Sequence, residues 1–211
     1  MEKELLRIFD ENRRPMGTAT REEVHQAGYW HETFHCWLVS TQGDQHTIYL
    51  QLRSQQKKDY PGLLDITAAG HLLADETVQD GVREVQEELG IAITYEDLLP
   101  LGVIDYTLTR GSMIDRELAN VHLCVRDIAF EDFKPQLEEV EGMMAADWDD
   151  FCQLWQGETD QIPANGFVVN SSGERAAVHR QISQRDFAPH ENDYYEQIIH
   201  LINEQLTKDA L

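Results

Sequence analysis

Glu84, Glu87 and Glu88 are spaced at i, i+3 and i+4, so any helix that carries them displays three carboxylates on one face, with Asp80 one turn earlier. Acids crowded in this way repel one another unless something positive sits among them. Hard divalent cations take carboxylate oxygens, and Mg²⁺ keeps waters and substrate phosphates in the rest of its shell. The function indicated is the binding of a divalent cation. The competing reading is a solvated acidic face, the ordinary fate of such a run in an acidic chain.

Elements must position these acids. Val78, Val82, Val85 and Leu89 recur at steps of four, three and four, one apolar stripe on a different face of the same helix. Thr77 with Asp80 has the spacing of a capping box, and Gly90 suits a left-handed stop, so a helix is expected from Thr77 to Leu89.

Arg83-Glu84-Val85-Gln86-Glu87-Glu88-Leu89-Gly90-Ile91 fills every fixed position of the second half of the Nudix box, and the chain is accordingly similar to the Nudix hydrolase superfamily. The resemblance implies an α/β/α sandwich on a mixed sheet over roughly residues 3–155. It also implies catalytic roles for Arg83, Glu84, Glu87 and Glu88, with the three glutamates holding Mg²⁺ or Mn²⁺. In the first half of the box, Gly70 and Glu76 keep the family's mutual spacing, but Glu76 lies one residue closer to Arg83 than the pattern has it. Either the loop is a residue shorter here, or Asp75 takes the role of the acid that pairs with Arg83.

A finer resemblance runs through His25, His31, Arg53, Lys57, Pro61-Gly62, Gly70-His71 and Glu117, a series similar to the isopentenyl-diphosphate isomerase branch of the superfamily. It implies that His25, His31 and His71 hold a metal together with Asp115 and Glu117, and that Arg53, Lys57, Gly70 and His71 contact the diphosphate. Imidazole with carboxylate is a reasonable ligand set for a divalent transition metal. The other reading of each histidine is a hydrogen-bonded structural residue. Two departures speak against isomerase chemistry. The position before the Gly-His pair, a cysteine in the isomerases, is Ala69, which has no proton to give, and those enzymes lack the intact glutamate trio.

Glu117 begins a strand in which Glu117, Ala119, Val121 and Leu123 share one face. A carboxylate on an apolar face is at the solvent rim or turned into a site, and the resemblance gives Glu117 a catalytic or ligand role. Its rival is the acidic loop of Glu138, Glu139 and Glu141.

With 211 residues and 41% hydrophobic content the chain suits one globular domain spanning 1–211, with 156–211 as a C-terminal extension. A formal charge of −22 argues against a nucleic-acid or anionic-membrane surface. Cys36, Cys124 and Cys152 suit free thiols, and no basic-then-apolar leader opens the chain, so a soluble cytoplasmic protein is expected. Strands are expected at Glu4–Phe9, Phe34–Val39, His46–Leu52, Leu64–Ala69, Leu98–Leu108, Leu118–Val125 and Met143–Trp148. A loop is expected at Arg110–Arg116, a helix from Asp149 and an irregular connection over Gly157–Gly173. The stripe of Tyr195, Ile198, Ile199, Ile202 and Leu206 predicts a C-terminal helix, and the class is α+β. The expected activity is Mg²⁺-dependent cleavage of a diphosphate bond, in a nucleoside diphosphate linked to another moiety or a similar small diphosphate. The alternatives are an isomerase-type enzyme or a silent Nudix binding module. Oligomeric state stays open, a homodimer included.

Overall fold

The computed structural model describes residues 4–208 apart from Ser112 and Ser171. Its organising strand is β3 (Trp30–Gln42), which pairs antiparallel with β4 (Gln45–Arg53) and parallel with β8 (Met113–Val125). From β4 the sheet continues through β9 (Val140–Asp147), β10 (Ile162–Val169) and β11 (Arg175–Ile182). On the other side stand β1 (Leu5–Phe9) and β2 (Pro15–Thr20). Shorter β5 (Leu64–Asp65) and β6 (Ala68–His71) pair with β4 and β3, and β7 (Leu99–Arg110) pairs with β8. Both parallel and antiparallel pairs occur, as expected for a mixed sheet in an α+β fold.

Alternation along β3 feeds two cores, one on each face. Phe34, Cys36 and Leu38 face one way, against Val85 and Leu89 of the helix α2 (Arg83–Leu89). Trp37 and Val39 face the other, against α3 (Trp148–Trp155) and α4 (Asn192–Lys208). Burial of Val85 and Leu89 is worth about 1.5–3 kcal/mol apiece. Tyr195, Ile198, Ile199, Ile202 and Leu206 are all buried, so the predicted stripe docks the C-terminal helix on the sheet.

Three expectations are corrected. The helix carrying the acids begins at Arg83, not Thr77: the Asp80 carboxylate accepts both the Thr77 amide and hydroxyl, and a 3₁₀ turn over Asp80–Val82 intervenes. The stretch Gly157–Gly173 contains strand β10, internal to the sheet. Gly166 is there because β9 passes so close that a Cβ would strike the Met143 carbonyl. Asp115 and Arg116 belong to β8 and not to a loop, while Ser112, within the predicted loop, is outside the described residues. Where no element was expected, Arg21–Ala27 is a helix, α1, capped by reciprocal bonds between Thr20 and Glu23. Among the described residues no helix is long and apolar enough to cross a membrane.

Candidate active site

The acids of α2 are organised by Arg83. Its Nη1 lies 2.6 Å from Glu84 Oε1 and 3.1 Å from Glu87 Oε2, and its Nη2 donates to the His71 carbonyl at 3.2 Å. On its other side Nε and Nη2 donate to the two Glu76 oxygens at 2.5 and 2.9 Å, so Glu76 is the acid that anchors the arginine. The shortened loop still delivers this pairing because Glu76 turns back onto the Leu73 amide at 2.8 Å. Glu87 is exposed, Glu84 is largely covered and Glu88 is buried, 7% exposed.

Burial has a consequence for charge. Desolvation, with Glu87 adding repulsion against the pull of Arg83, pushes the Glu84 carboxyl up to about 7. Desolvation and the nearby Glu84 push Glu88 up to about 8, although Glu88 accepts from the Ala69 amide and from Gln51 Nε2, each at 3.2 Å. Two hidden carboxyls that resist ionisation together are a fit for a divalent cation, which would relieve both penalties. Gly70 completes this pocket, since a Cβ there would fall onto the Glu84 carboxyl. Gly70→Ala is therefore expected to displace Glu84 and lower kcat by about 10²-fold. The clash is with a flexible side-chain end, so the Tm should change little, and steady-state kinetics beside thermal melts check the pair of outcomes.

A second cluster lies across His71. His25 ends α1, His31 opens β3, His71 closes β6, and Asp115 and Glu117 lie on β8, with Glu117 in register with His31. Ligand atoms of His25, His31 and His71 lie within 4.8 Å of one another, as do those of His31, Asp115 and Glu117. The ring centroids of the histidines are 5.1–5.4 Å apart. His31 Nε2, His71 Nε2 and Asp115 Oδ1 are buried without a hydrogen-bond partner. The Tyr29 carbonyl, an acceptor only, accepts a hydrogen bond from His31 Nδ1 at 3.1 Å, so Nε2 is the nitrogen turned to the cluster, 3.5 Å from Asp115 Oδ1. Burial, with His31 adjacent, holds the His71 imidazole well below its ordinary pKa and hence neutral, the form in which histidine binds a metal. Orphaned nitrogens converging with two carboxylates fit a divalent transition metal.

Glu117 Oε2 accepts from Thr33 Oγ1 and Tyr106 Oη at 2.8 Å each and faces His35 Nε2 at 3.2 Å. Burial alone would raise this carboxyl, but the hydrogen bond from His35 leads the contacts that hold it well below the usual carboxylate range. The cations expected at the substrate are already engaged. Arg53 donates to Asp65 at 2.7 Å and to the Asp59 carbonyl at 2.9 and 3.3 Å, while Lys57 pairs with Glu139. Glu141, expected in the acidic loop, lies instead on β9 and accepts from the Gln55 amide at 3.1 Å. Sequence reasoning missed Tyr106, Thr33 and His35, whose positions in strands mark them only as members of an alternating face.

The NUDIX domain family model matches residues 29–165. The chain is similar to an uncharacterized Nudix hydrolase of Clostridium acetobutylicum, 36% identical over 199 residues, 94% of this chain and 97% of that relative. It is also similar to an isopentenyl-diphosphate Delta-isomerase of Salmonella paratyphi B, 33% identical over 182 residues, 83% of this chain and 94% of the relative. A crystal structure from Deinococcus radiodurans shares the fold with a TM-score of 0.53 at 18% identity, covering 73% of this chain and 90% of that one.

Proposed function

The chain belongs to the Nudix family, and from that premise we propose that it hydrolyses a diphosphate anhydride. The substrate class is a nucleoside diphosphate linked to another moiety, or a similar small diphosphate. One observation carries this reading: two buried, mutually repelling carboxyls on α2, Glu84 and Glu88, stand beside a glycine that leaves their site open. Glu84, Glu87 and Glu88 would hold Mg²⁺ or Mn²⁺, which when bound supplies charge neutralisation at the phosphate oxygens and activation of water.

Each residue has a part that its contacts support. Glu76 fixes Arg83, and Arg83 in turn fixes Glu84 and Glu87. The Ala69 amide and Gln51 aim Glu88. Lys57 lies close enough to bias Glu88, and it would exchange Glu139 for phosphate. Arg53 meets phosphate only by loosening Asp65, so its share in substrate binding goes with holding that loop. His71 joins the two centres, its carbonyl on Arg83 and its ring in the histidine cluster. His25, His31, His71, Asp115 and Glu117 would hold a second divalent ion. For Glu117 we favour the ligand role over the general base, because its Oε2 already accepts from Thr33 and Tyr106 and faces His35, which leaves the other oxygen for a cation.

The histidine cluster and the Salmonella relative favour a second reading, isoprenoid diphosphate isomerisation. Ala69 speaks against it, since a methyl group cannot exchange a proton with a carbon–carbon double bond. Isomer exchange between isopentenyl and dimethylallyl diphosphate, followed by proton NMR, is expected to stay at the buffer background, and exchange above it would replace the hydrolytic reading. The hydrolytic reading itself is tested by screening nucleotide sugars, dinucleoside polyphosphates, coenzymes and prenyl diphosphates with Mg²⁺ and Mn²⁺. Phosphate products are expected from at least one class, and none from any class would count against it.

A further inference from the structure

The C-terminal helix reaches the histidine cluster through a chain of hydrogen bonds whose direction can be worked out group by group. Trp37 Nε1, a donor only, lies 3.3 Å from Tyr194 Oη, so the phenol oxygen accepts there. The one proton of that phenol is available to His35 Nδ1, 2.8 Å away, and is assigned there. A neutral His35 accepting at Nδ1 carries its proton on Nε2, which faces Glu117 Oε2 at 3.2 Å and the Thr33 hydroxyl oxygen at 3.3 Å. With Thr33 and Tyr106 also donating, that carboxylate oxygen has all the partners it can use, and a cation would draw on the other oxygen. Every member is buried: Tyr194 is 1% exposed, His35 2% and Glu117 9%. Tyr194 lies on α4, well past residue 165 where the family match ends.

We propose that Tyr194 is a positioning residue for the histidine-cluster metal centre: by fixing the His35 tautomer it locks the orientation of Glu117, so that the C-terminal segment completes a site whose ligands all come from elsewhere in the chain. The inference rests on the second metal centre proposed above. Outer partners of metal ligands commonly change affinity by about 10–100-fold, and Tyr194 is assigned a loss in that range although it lies two residues removed from the ion. Tyr194 acts only through His35. A side chain at position 35 that brings its own N–H makes the phenol dispensable.

The test is a Co²⁺ titration of the metal-free full chain, read from the visible bands of imidazole-bound Co²⁺, alongside ¹⁵N NMR of the histidine rings. Wild type is expected to show His35 protonated at Nε2. Tyr194→Phe is expected to bind Co²⁺ on the order of tenfold more weakly with His35 split between tautomers. His35→Gln, whose amide can donate to Glu117 unaided, is expected to bind equally well with or without Tyr194→Phe, a non-additivity that a merely structural role would not produce. Tyr194→Phe within twofold of wild type, or full additivity of the two substitutions, overturns the proposal. Should Tyr194→Phe fail to fold, a wild-type His35 protonated at Nδ1 overturns it as well. A His71→Gln control that still binds Co²⁺ as wild type does counts against the metal centre itself, and the His35 tautomer still decides the role of Tyr194.

Discussion

Glu84→Gln and Glu88→Gln are each expected to lower kcat/KM by on the order of 10³-fold, with the Tm of the metal-free protein unchanged or raised near pH 8. The kinetic half follows from the several kcal/mol that cation neutralisation supplies to phosphoryl chemistry, all of which depends on ionised oxygens at these two positions. The stability half follows from the sign of the shift. A carboxyl whose folded pKa exceeds its unfolded value favours folding while protonated, and that contribution is lost as pH rises through the folded value, about 7 for Glu84 and about 8 for Glu88. Gln never ionises and avoids this loss. It also retains a carbonyl oxygen to accept from the Ala69 amide. Steady-state kinetics and calorimetry on the same preparations check both halves. A variant that loses activity only because it unfolds would contradict the account, and so would wild-type rates.

The second large effect is expected at the histidines. His31→Gln and His71→Gln should each weaken transition-metal binding by more than about 10²-fold, above the cost of losing an outer partner. Both side chains present a buried Nε2 without a hydrogen-bond partner; His71 groups with His25 and His31, and His31 also with Asp115 and Glu117. Gln can fill much of the space yet offers only an amide, a poor ligand for the metals that imidazole suits. Metal content of the purified variants by mass spectrometry, with Mg²⁺ in excess to occupy the box acids, reads the effect. Wild-type content in both variants would return the three histidines to a structural role.

These two centres were not equally legible in the chain. The box acids announce themselves because a helix places i, i+3 and i+4 together, and local spacing suffices. Helix α2 is nonetheless shorter than its stripe suggested, since Val78 and Val82 pack on the core from a turn and not from the helix. Positions 31, 71, 115 and 117 meet only through the sheet, by the register of β3 with β6 and β8, and α1 adds His25, whose Nε2 lies 3.4 Å from Asp115 Oδ1. No periodicity encodes that meeting, and family resemblance alone suggested it. The pairing of Arg83 with Glu76 was ambiguous in sequence, where Asp75 was a rival, and the backbone turn at Leu73 settled it.

Tyr194 was the least legible of all. It stands beside Tyr195 in an apolar helical stripe, and only its phenol oxygen, aimed at His35, separates it from an ordinary core residue. Strand β10 was hidden for the opposite reason. Pro163, Asn165 and Gly166 carry the composition of a loop, yet Gly166 serves a close strand approach, and Pro163 is an exposed residue near the strand's beginning.

The most direct measurement of the central claim is hydrolysis in ¹⁸O-labelled water, followed by ³¹P NMR, with whichever diphosphate the screen returns. The account predicts ¹⁸O in one phosphate product when Mg²⁺ or Mn²⁺ is present, no product with EDTA, and product lowered on the order of 10³-fold in Glu84→Gln and Glu88→Gln. Label incorporated equally by those two variants, or with EDTA present, would contradict it.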